Sequence, residues 1–385
     1  MKIPLVKNTI DNQDIDKLIE WLQTYPRLTK GELTVTFEEE WSKFIGTKYS
    51  VFVNSGSSAN LLMLYTLLET GKIKKGDTVV VPAVSWATDL APVVQLGLNP
   101  ILCDCNLEDL SVDLHHLEDI YKKNNPAAVI IVSILGLVPR MDKILDLCRK
   151  YNVIPLEDAC ESFGSRHKGK NLGSFGLMGT FSTYFGHHLS TIEGGVINTD
   201  DREIYNVLKS IRSHGWDRDM DEDHRNSLRE AHQVSDFENL YKFYHFGFNL
   251  RSTDLSAFIG INQLKKAANM CKVREHNYQL YADKIKNDFW SPEIRKDEYV
   301  SNFAYPVISP HREKIVENLQ NADIEVRPLV CGNLGNQPVW KQHYGEVSLP
   351  NAEKVDKFGM YIPNNHEMGE VEIDIISDII NSSVK

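Results

Sequence analysis

Between residues 50 and 200 the chain alternates short β-branched runs with stretches of helical periodicity. Ser50–Val53, Thr78–Val81, Pro100–Cys103, Ala128–Val132 and Val153–Leu156 predict strands, and residues 58–70, 86–96, 114–124 and 140–151 predict the helices between them. Nearly continuous apolar strands separated by helices predict a parallel sheet covered on both faces. Phe181–Tyr184 and Gly195–Asn198 add two strands around a turn, and residues 12–24 predict an amphipathic helix. After residue 250 the pattern changes. Asp254–Lys266 and Val273–Phe289 read as long helices, followed by a strand (Asn302–Ile308), a helix (Arg312–Asn321), a short strand (Ile324–Arg327) and a helix over 370–382. These elements predict a large α/β domain over 1–265 and a small α+β domain over 266–385. No internal repeat interrupts them.

The 385 residues carry 42 Lys+Arg against 53 Asp+Glu, a net charge of −11, with no basic cluster, so nucleic acid is a poor partner. The longest apolar run, Ala127–Val138, is broken by Ser133 and Gly136 and falls short of the ~20 residues that span a bilayer. The first residues turn polar too soon for a signal peptide, which predicts a cytoplasmic protein with no membrane contact. Cys103, Cys105, Cys148, Cys160, Cys271 and Cys331 contain no C-x-x-C pair and predict free buried thiols.

In an open α/β sheet, ligands bind beyond the carboxyl ends of the strands. Four stretches fall there. Asn54-Ser-Gly-Ser-Ser-Ala-Asn60 joins a strand to a helix, as an anion cradle or as a simple helix cap. Val81-Pro-Ala-Val-Ser-Trp86 offers an indole that can stack on a flat ligand or sit in the core. Leu156-Glu-Asp-Ala-Cys-Glu-Ser162 offers carboxylates that can hold a protonated ring nitrogen or cap the next helix. Gly179-Thr-Phe-Ser-Thr-Tyr-Phe-Gly-His-His-Leu-Ser-Thr-Ile-Glu-Gly-Gly195 ends a strand in two histidines. Adjacent histidines on extended backbone face opposite ways and chelate one ion poorly, so no metal is expected. A neutral imidazole can instead serve as a general base and acid near pH 7.

Taken in order, these stretches resemble the sugar aminotransferase family of fold-type I pyridoxal phosphate enzymes, the DegT/DnrJ/EryC1/StrS type, which act on nucleotide-linked ketosugars. The resemblance begins at Phe37-Glu38. It continues through Ser55-Gly56-Ser57, Gly76-Asp77, Gly164, Gly194-Gly195 and His214-Gly215 to Gly247-Phe-Asn-Leu-Arg-Ser-Thr-Asp254 and the C-terminal unit. It implies an aspartate-aminotransferase-like fold, mainly a parallel sheet flanked by helices, and a homodimer with shared sites. It implies that Gly56, Ser57 and Ser182 hold the phosphate of pyridoxal 5′-phosphate (PLP) or pyridoxamine 5′-phosphate (PMP). It also implies that Trp86 stacks on the ring and Asp158 partners the ring nitrogen. Glu161 stands where the family usually has glutamine near the ring hydroxyl, and Asn249 reaches the phosphate of the neighbouring subunit.

One departure stands out. The family's transaminases carry a Schiff-base lysine about six residues before the Glu-Gly-Gly turn; here that position is His187, and no lysine occurs between Lys170 and Lys209. The change resembles the family's sugar 3-dehydratases. It implies removal of the C3 hydroxyl from a GDP-linked 4-keto-6-deoxy sugar, hexose or heptose, with His187 moving the proton and glutamate restoring PMP. The implied pathway leads to a dideoxy sugar of a lipopolysaccharide or capsule. His188, His214 and Arg218 are further substrate candidates. A related dehydratase of a CDP-linked ketosugar uses an iron–sulfur cluster, but the cysteines here lack its cluster-binding run, so none is expected. Two alternatives stay open: a lysine-free nucleotide-sugar 4-aminotransferase, and a non-catalytic member that binds a nucleotide sugar.

Overall fold

The computed structural model describes residues 2–235, 237–286 and 290–384. In chain order the strands are β1 (Tyr49–Val53), β2 (Thr78–Pro82), β3 (Asn99–Cys103), β4 (Ala128–Val132) and β5 (Ile154–Asp158). Next come the two-residue strands β6 (Arg166–His167) and β7 (Lys170–Asn171), then β8 (Met178–Ser182) and β9 (Gly195–Thr199). The remainder are β10 (Glu298–Tyr299), β11 (Tyr305–Ile308), β12 (Arg327–Pro328) and β13 (Gly359–Ile362).

Seven strands form the main sheet in the order β1-β9-β8-β5-β4-β2-β3. Only β9 runs against its neighbours, β1 and β8. The pairs β2–β3, β2–β4, β4–β5 and β5–β8 are parallel. All five residues of β4 are buried, which is why the central strands read as unbroken apolar runs rather than alternating ones. Helices Gly56–Glu69, Ala87–Gln95, Leu114–Asn124 and Met141–Tyr151 follow β1 to β4 in the predicted places. The topology brings the carboxyl ends of six strands to one edge, where β9 begins.

Two expectations change. The strand expected over Phe181–Tyr184 is Met178–Ser182, and the histidine pair lies in a turn rather than on extended backbone. The Thr183 N–H donates to the Gly194 carbonyl (2.9 Å), and the Thr183 carbonyl accepts from the Thr191 N–H (2.8 Å), so the loop closes on Thr183. The His187 N–H then turns back to the Tyr184 carbonyl (2.9 Å). The Gly-Gly pair of this loop answers to close approach: a Cβ on Gly194 would lie 2.4 Å from two threonine hydroxyls, and one on Gly195 2.2 Å from the Ser55 carbonyl.

The two long helices expected after residue 250 are one, Asp254–Lys284. Residues 267–272 hold no breaker, and Ala267, Met270 and Cys271 are buried in a cluster with Phe37, Trp41, Phe163 and Phe181. The expected end of the second helix, at 287–289, lies outside the described residues. The helix runs through residue 265 and leads to the antiparallel sheet β11-β13-β12. Helices Arg312–Asn321 and Glu370–Ser383 pack together beside it. Among the described residues no helix is long and apolar enough to cross a membrane, and no His/Cys/Asp/Glu group could hold a metal ion.

Candidate active site

The shared strand edge opens into a cavity of about 460 Å³. Ser55, Gly56 and Ser57 line it from the end of β1, Trp86 and Asp89 from beyond β2, and Ile134 from beyond β4. Asp158, Cys160 and Glu161 line it from β5, and Ser182, Tyr184 and His187 from β8. Phe303, Val330 and Tyr361 close it from the C-terminal part, with Val6 from the N-terminal segment. Among the described residues no lysine or arginine lines it.

Helix Gly56–Glu69 starts at this wall. Ser55 caps it, its hydroxyl accepting from the Ser58 N–H (3.1 Å). The first-turn amides have no partner inside the helix and carry its positive dipole end. Position 56 admits only glycine, because a Cβ there would lie 2.7 Å from the Ser182 Cβ. Trp86 is 56% exposed, a large indole left open beside the cavity.

The floor is acidic. Asp158 is buried and accepts from the Asn60 amide (2.6 Å) and the Cys160 N–H (2.8 Å). Glu161 accepts from the Leu135 N–H (2.7 Å), and burial raises its carboxyl to about 7. Near neutral pH Glu161 is therefore part carboxylic acid, with an O–H that can do what a glutamine amide does.

His187 and His188 part company. The His187 ring meets the cavity and packs against Phe303, with ring centroids 5.5 Å apart. Enclosure lowers its pKa to about 4, partly offset by the Asp158 charge, so it is a neutral base at pH 7. Its Nδ1 is buried with no hydrogen-bond partner among the described residues. His188 is buried, its Nε2 2.8 Å from the Ser301 carbonyl, and does not line the cavity.

The other candidates lie apart from this cavity within the chain. Residues 213–216 and 243–249 pair through bridges at Ser213–Asn249 and Trp216–Phe243. Asn249 and His214 are exposed there, Asn249 accepting from Arg251 Nε (3.2 Å). Arg218 stacks over Trp216, 5.4 Å from its centroid. It lines a separate cleft of about 230 Å³ with Arg27, Lys30 and Arg251.

The family model for DegT/DnrJ/EryC1/StrS aminotransferases matches residues 8–381. The chain belongs to that family. GDP-4-keto-6-deoxy-D-mannose 3-dehydratase of Escherichia coli O55:H7 is 37% identical, over 98% of this chain and 99% of the relative. A crystal structure of GDP-4-keto-6-deoxymannose-3-dehydratase, a histidine-to-asparagine mutant with bound GDP-perosamine, superposes with a TM-score of 0.90 at 35% identity. The match covers 98% of this chain and all of that one. A second structure of that enzyme, with a trapped PLP-glutamate geminal diamine, gives 0.89 at 34% identity over 98% of this chain and all of the other.

Sequence reasoning missed several lining residues. Phe303, Val330, Tyr361 and Val6 come from distant segments and carry no local mark. Asp89 had one: it follows Trp86 by three, the spacing of a helix-capping acid, and its carboxylate accepts from the Trp86 N–H (3.3 Å).

Proposed function

We propose that this protein is a PLP/PMP-dependent 3-dehydratase that removes the C3 hydroxyl of a GDP-linked 4-keto-6-deoxy sugar, with glutamate as the amino donor. The observation that carries the reading is a neutral histidine, His187, in a lysine-free cavity of a family whose transaminases need a lysine.

The residues fit the cofactor. The glycine-only approach at position 56, the open indole of Trp86 and the buried carboxylate of Asp158 match a phosphate, a flat ring and a ring nitrogen. The neutral His187 ring in the cavity wall adds a proton acceptor. When bound, PMP supplies an amine for the sugar ketone and a ring that takes up electrons. The first-turn amides at Ser55–Ser57 and the Ser182 hydroxyl would hold the phosphate. Trp86 would stack on the ring. Asp158 would keep the ring nitrogen protonated through a charge-assisted hydrogen bond. Glu161 would serve the ring hydroxyl. His187 would serve as the base that accepts a proton and then as the acid that gives it to the departing C3 oxygen, while the cofactor would supply the electron sink. A lysine here would recapture the cofactor and favour plain transamination.

The working unit is a cytoplasmic homodimer, in which Asn249 reaches the neighbouring cofactor phosphate and Arg218 and His214 meet the nucleotide sugar. The pathway is dideoxy-sugar synthesis for a bacterial surface polysaccharide. The test is the mass of the product after incubation with PMP, glutamate and GDP-4-keto-6-deoxymannose. Loss of one oxygen with release of ammonia is expected. Oxygen replaced by an amine would move the assignment to a 4-aminotransferase, and cofactor-loaded protein with every such GDP-sugar unchanged would overturn it.

A further inference from the structure

Asp89 belongs to the helix Ala87–Gln95 that follows β2, and is 1% exposed. Its carboxylate shares a donor with Asp158. The Asn60 amide nitrogen lies 2.6 Å from Asp158 Oδ2 and 3.4 Å from Asp89 Oδ1. The Thr180 hydroxyl, 2.6 Å from Asn60 Oδ1, fixes that amide so that its N–H groups face the two acids.

The donors are unevenly divided. Asp158 also takes the Cys160 N–H at 2.8 Å, whereas among the described residues Asp89 has only the Trp86 N–H at 3.3 Å beside its long contact to Asn60. The charged and titratable groups facing Asp89 are Asp158 and Glu161, with the Cys160 and Cys331 thiols near by; Cys160 and His187 also face Asp158. No lysine or arginine lines the cavity among the described residues. Two carboxylates buried side by side without a cation cannot both stay ionised. The charge settles on the carboxylate with the shorter hydrogen bonds.

We propose that Asp89 is a positioning residue that stands as a neutral carboxylic acid and donates its proton to the Asp158 carboxylate, holding it in place for the ring nitrogen of the cofactor. Burial first, and then the charge of Asp158, hold the Asp89 carboxyl well above the usual carboxylate range. The proposal rests on Asp158 being the ring-nitrogen partner. It adds a second acid, which keeps the net charge beneath the ring at one rather than two. A protonated Asp89 also leaves Asp158 free of the repulsion that would turn it away.

Two variants and two measurements test this. Asp89→Asn keeps a neutral donor of the same shape; Asp89→Leu removes it. The first measurement is the melting temperature of the cofactor-free protein between pH 4 and pH 8. The folded pKa of Asp89 is raised, so wild-type stability is fully present below the unfolded pKa and is lost as pH rises toward the folded value. The asparagine variant lacks that loss and should melt increasingly above wild type as pH rises, by a few degrees at pH 8. An asparagine variant that melts below wild type at pH 8 would overturn the proposal, because Asp89 would then be a stabilised anion.

The second measurement is PMP binding followed by absorbance. Asparagine should hold affinity within about threefold, and leucine should lose roughly tenfold or more, the worth of one hydrogen bond to a charged group. Equal losses in both variants would also overturn the assignment. Should the leucine variant not fold, the melting series decides alone. Failure of wild type to bind PMP would strike the cofactor reading instead, and the melting series would still report the proton on Asp89.

Discussion

The cavity at the strand ends and the cleft around Arg218 are made of opposite materials. Asp89, Asp158, Glu161 and Glu193 line the first, and its positive potential comes from backbone amides at the start of a helix. Arg27, Lys30, Arg218 and Arg251 line the second, tempered by Glu32 and Asp219. The cavity is suited to moving a proton beside a positively charged ring. The cleft is suited to a diphosphate, for which arginine forks are the natural donors. The proposed proton-moving groups share one cavity with the proposed phosphate seat, and the arginine-lined cleft sits elsewhere on the same chain. The proposed homodimer would join the two, one copy's cleft serving the other's cavity.

The sharpest way to break the comparison is at the histidine. His187→Asn removes the proposed base while leaving the proposed phosphate seat, Trp86 and Asp158 untouched. Dehydration should fall by ~10³, the usual worth of a positioned general base, while PMP still binds and shows its absorbance. Single-turnover assays of the PMP-loaded variant check this. Turnover near the wild-type rate would mean that the proton is moved from elsewhere.

What could be read in the sequence, and what could not, follows the same divide. Asp158 ends β5, Ser182 ends β8 and Trp86 follows β2, so each was visible as a local mark beside an apolar run. Strand-end chemistry is legible because the sheet puts every such mark on one edge. The remaining wall, Phe303, Val330 and Tyr361, is brought in by tertiary packing over more than a hundred residues. An unremarkable Phe or Tyr announces nothing of that kind. β13, which carries Tyr361, is only four residues long and owes its existence to pairing with β11 and β12. The histidine turn escaped for a different reason. The run reads as a continuing strand, and only the closure of residues 184–190 onto Thr183 ends it.

The cleft gives a smaller effect. Arg218→Ala should raise the KM for the GDP-sugar roughly tenfold, the scale of one lost charge-assisted bond, with a much smaller change in kcat. Steady-state kinetics at two salt concentrations read both effects, since the wild-type KM should climb with salt more steeply than that of the variant. An unchanged KM would detach the cleft from substrate binding and leave the cavity as the whole site.

The smallest effect concerns Glu161, and it separates the acidic floor into its members. Burial, helped by the charge of Asp158, lifts the Glu161 carboxyl to about 7, against the hydrogen bond from the Leu135 N–H that lowers it. The protonated form, which can donate toward the ring hydroxyl, prevails below that pH and drains away above it. A reaction that needs this donor should slow by about fourfold between pH 6 and pH 7.5, the fall in the protonated fraction of a group titrating near 7. Glu161→Gln keeps the donor at every pH, so that alkaline decline should vanish while the rate at pH 6 stays close to wild type. The pH profile of kcat for the two proteins is the measurement. Should the decline persist in the glutamine variant, the titrating group is another, and Glu161 holds Leu135 in its turn without touching the chemistry.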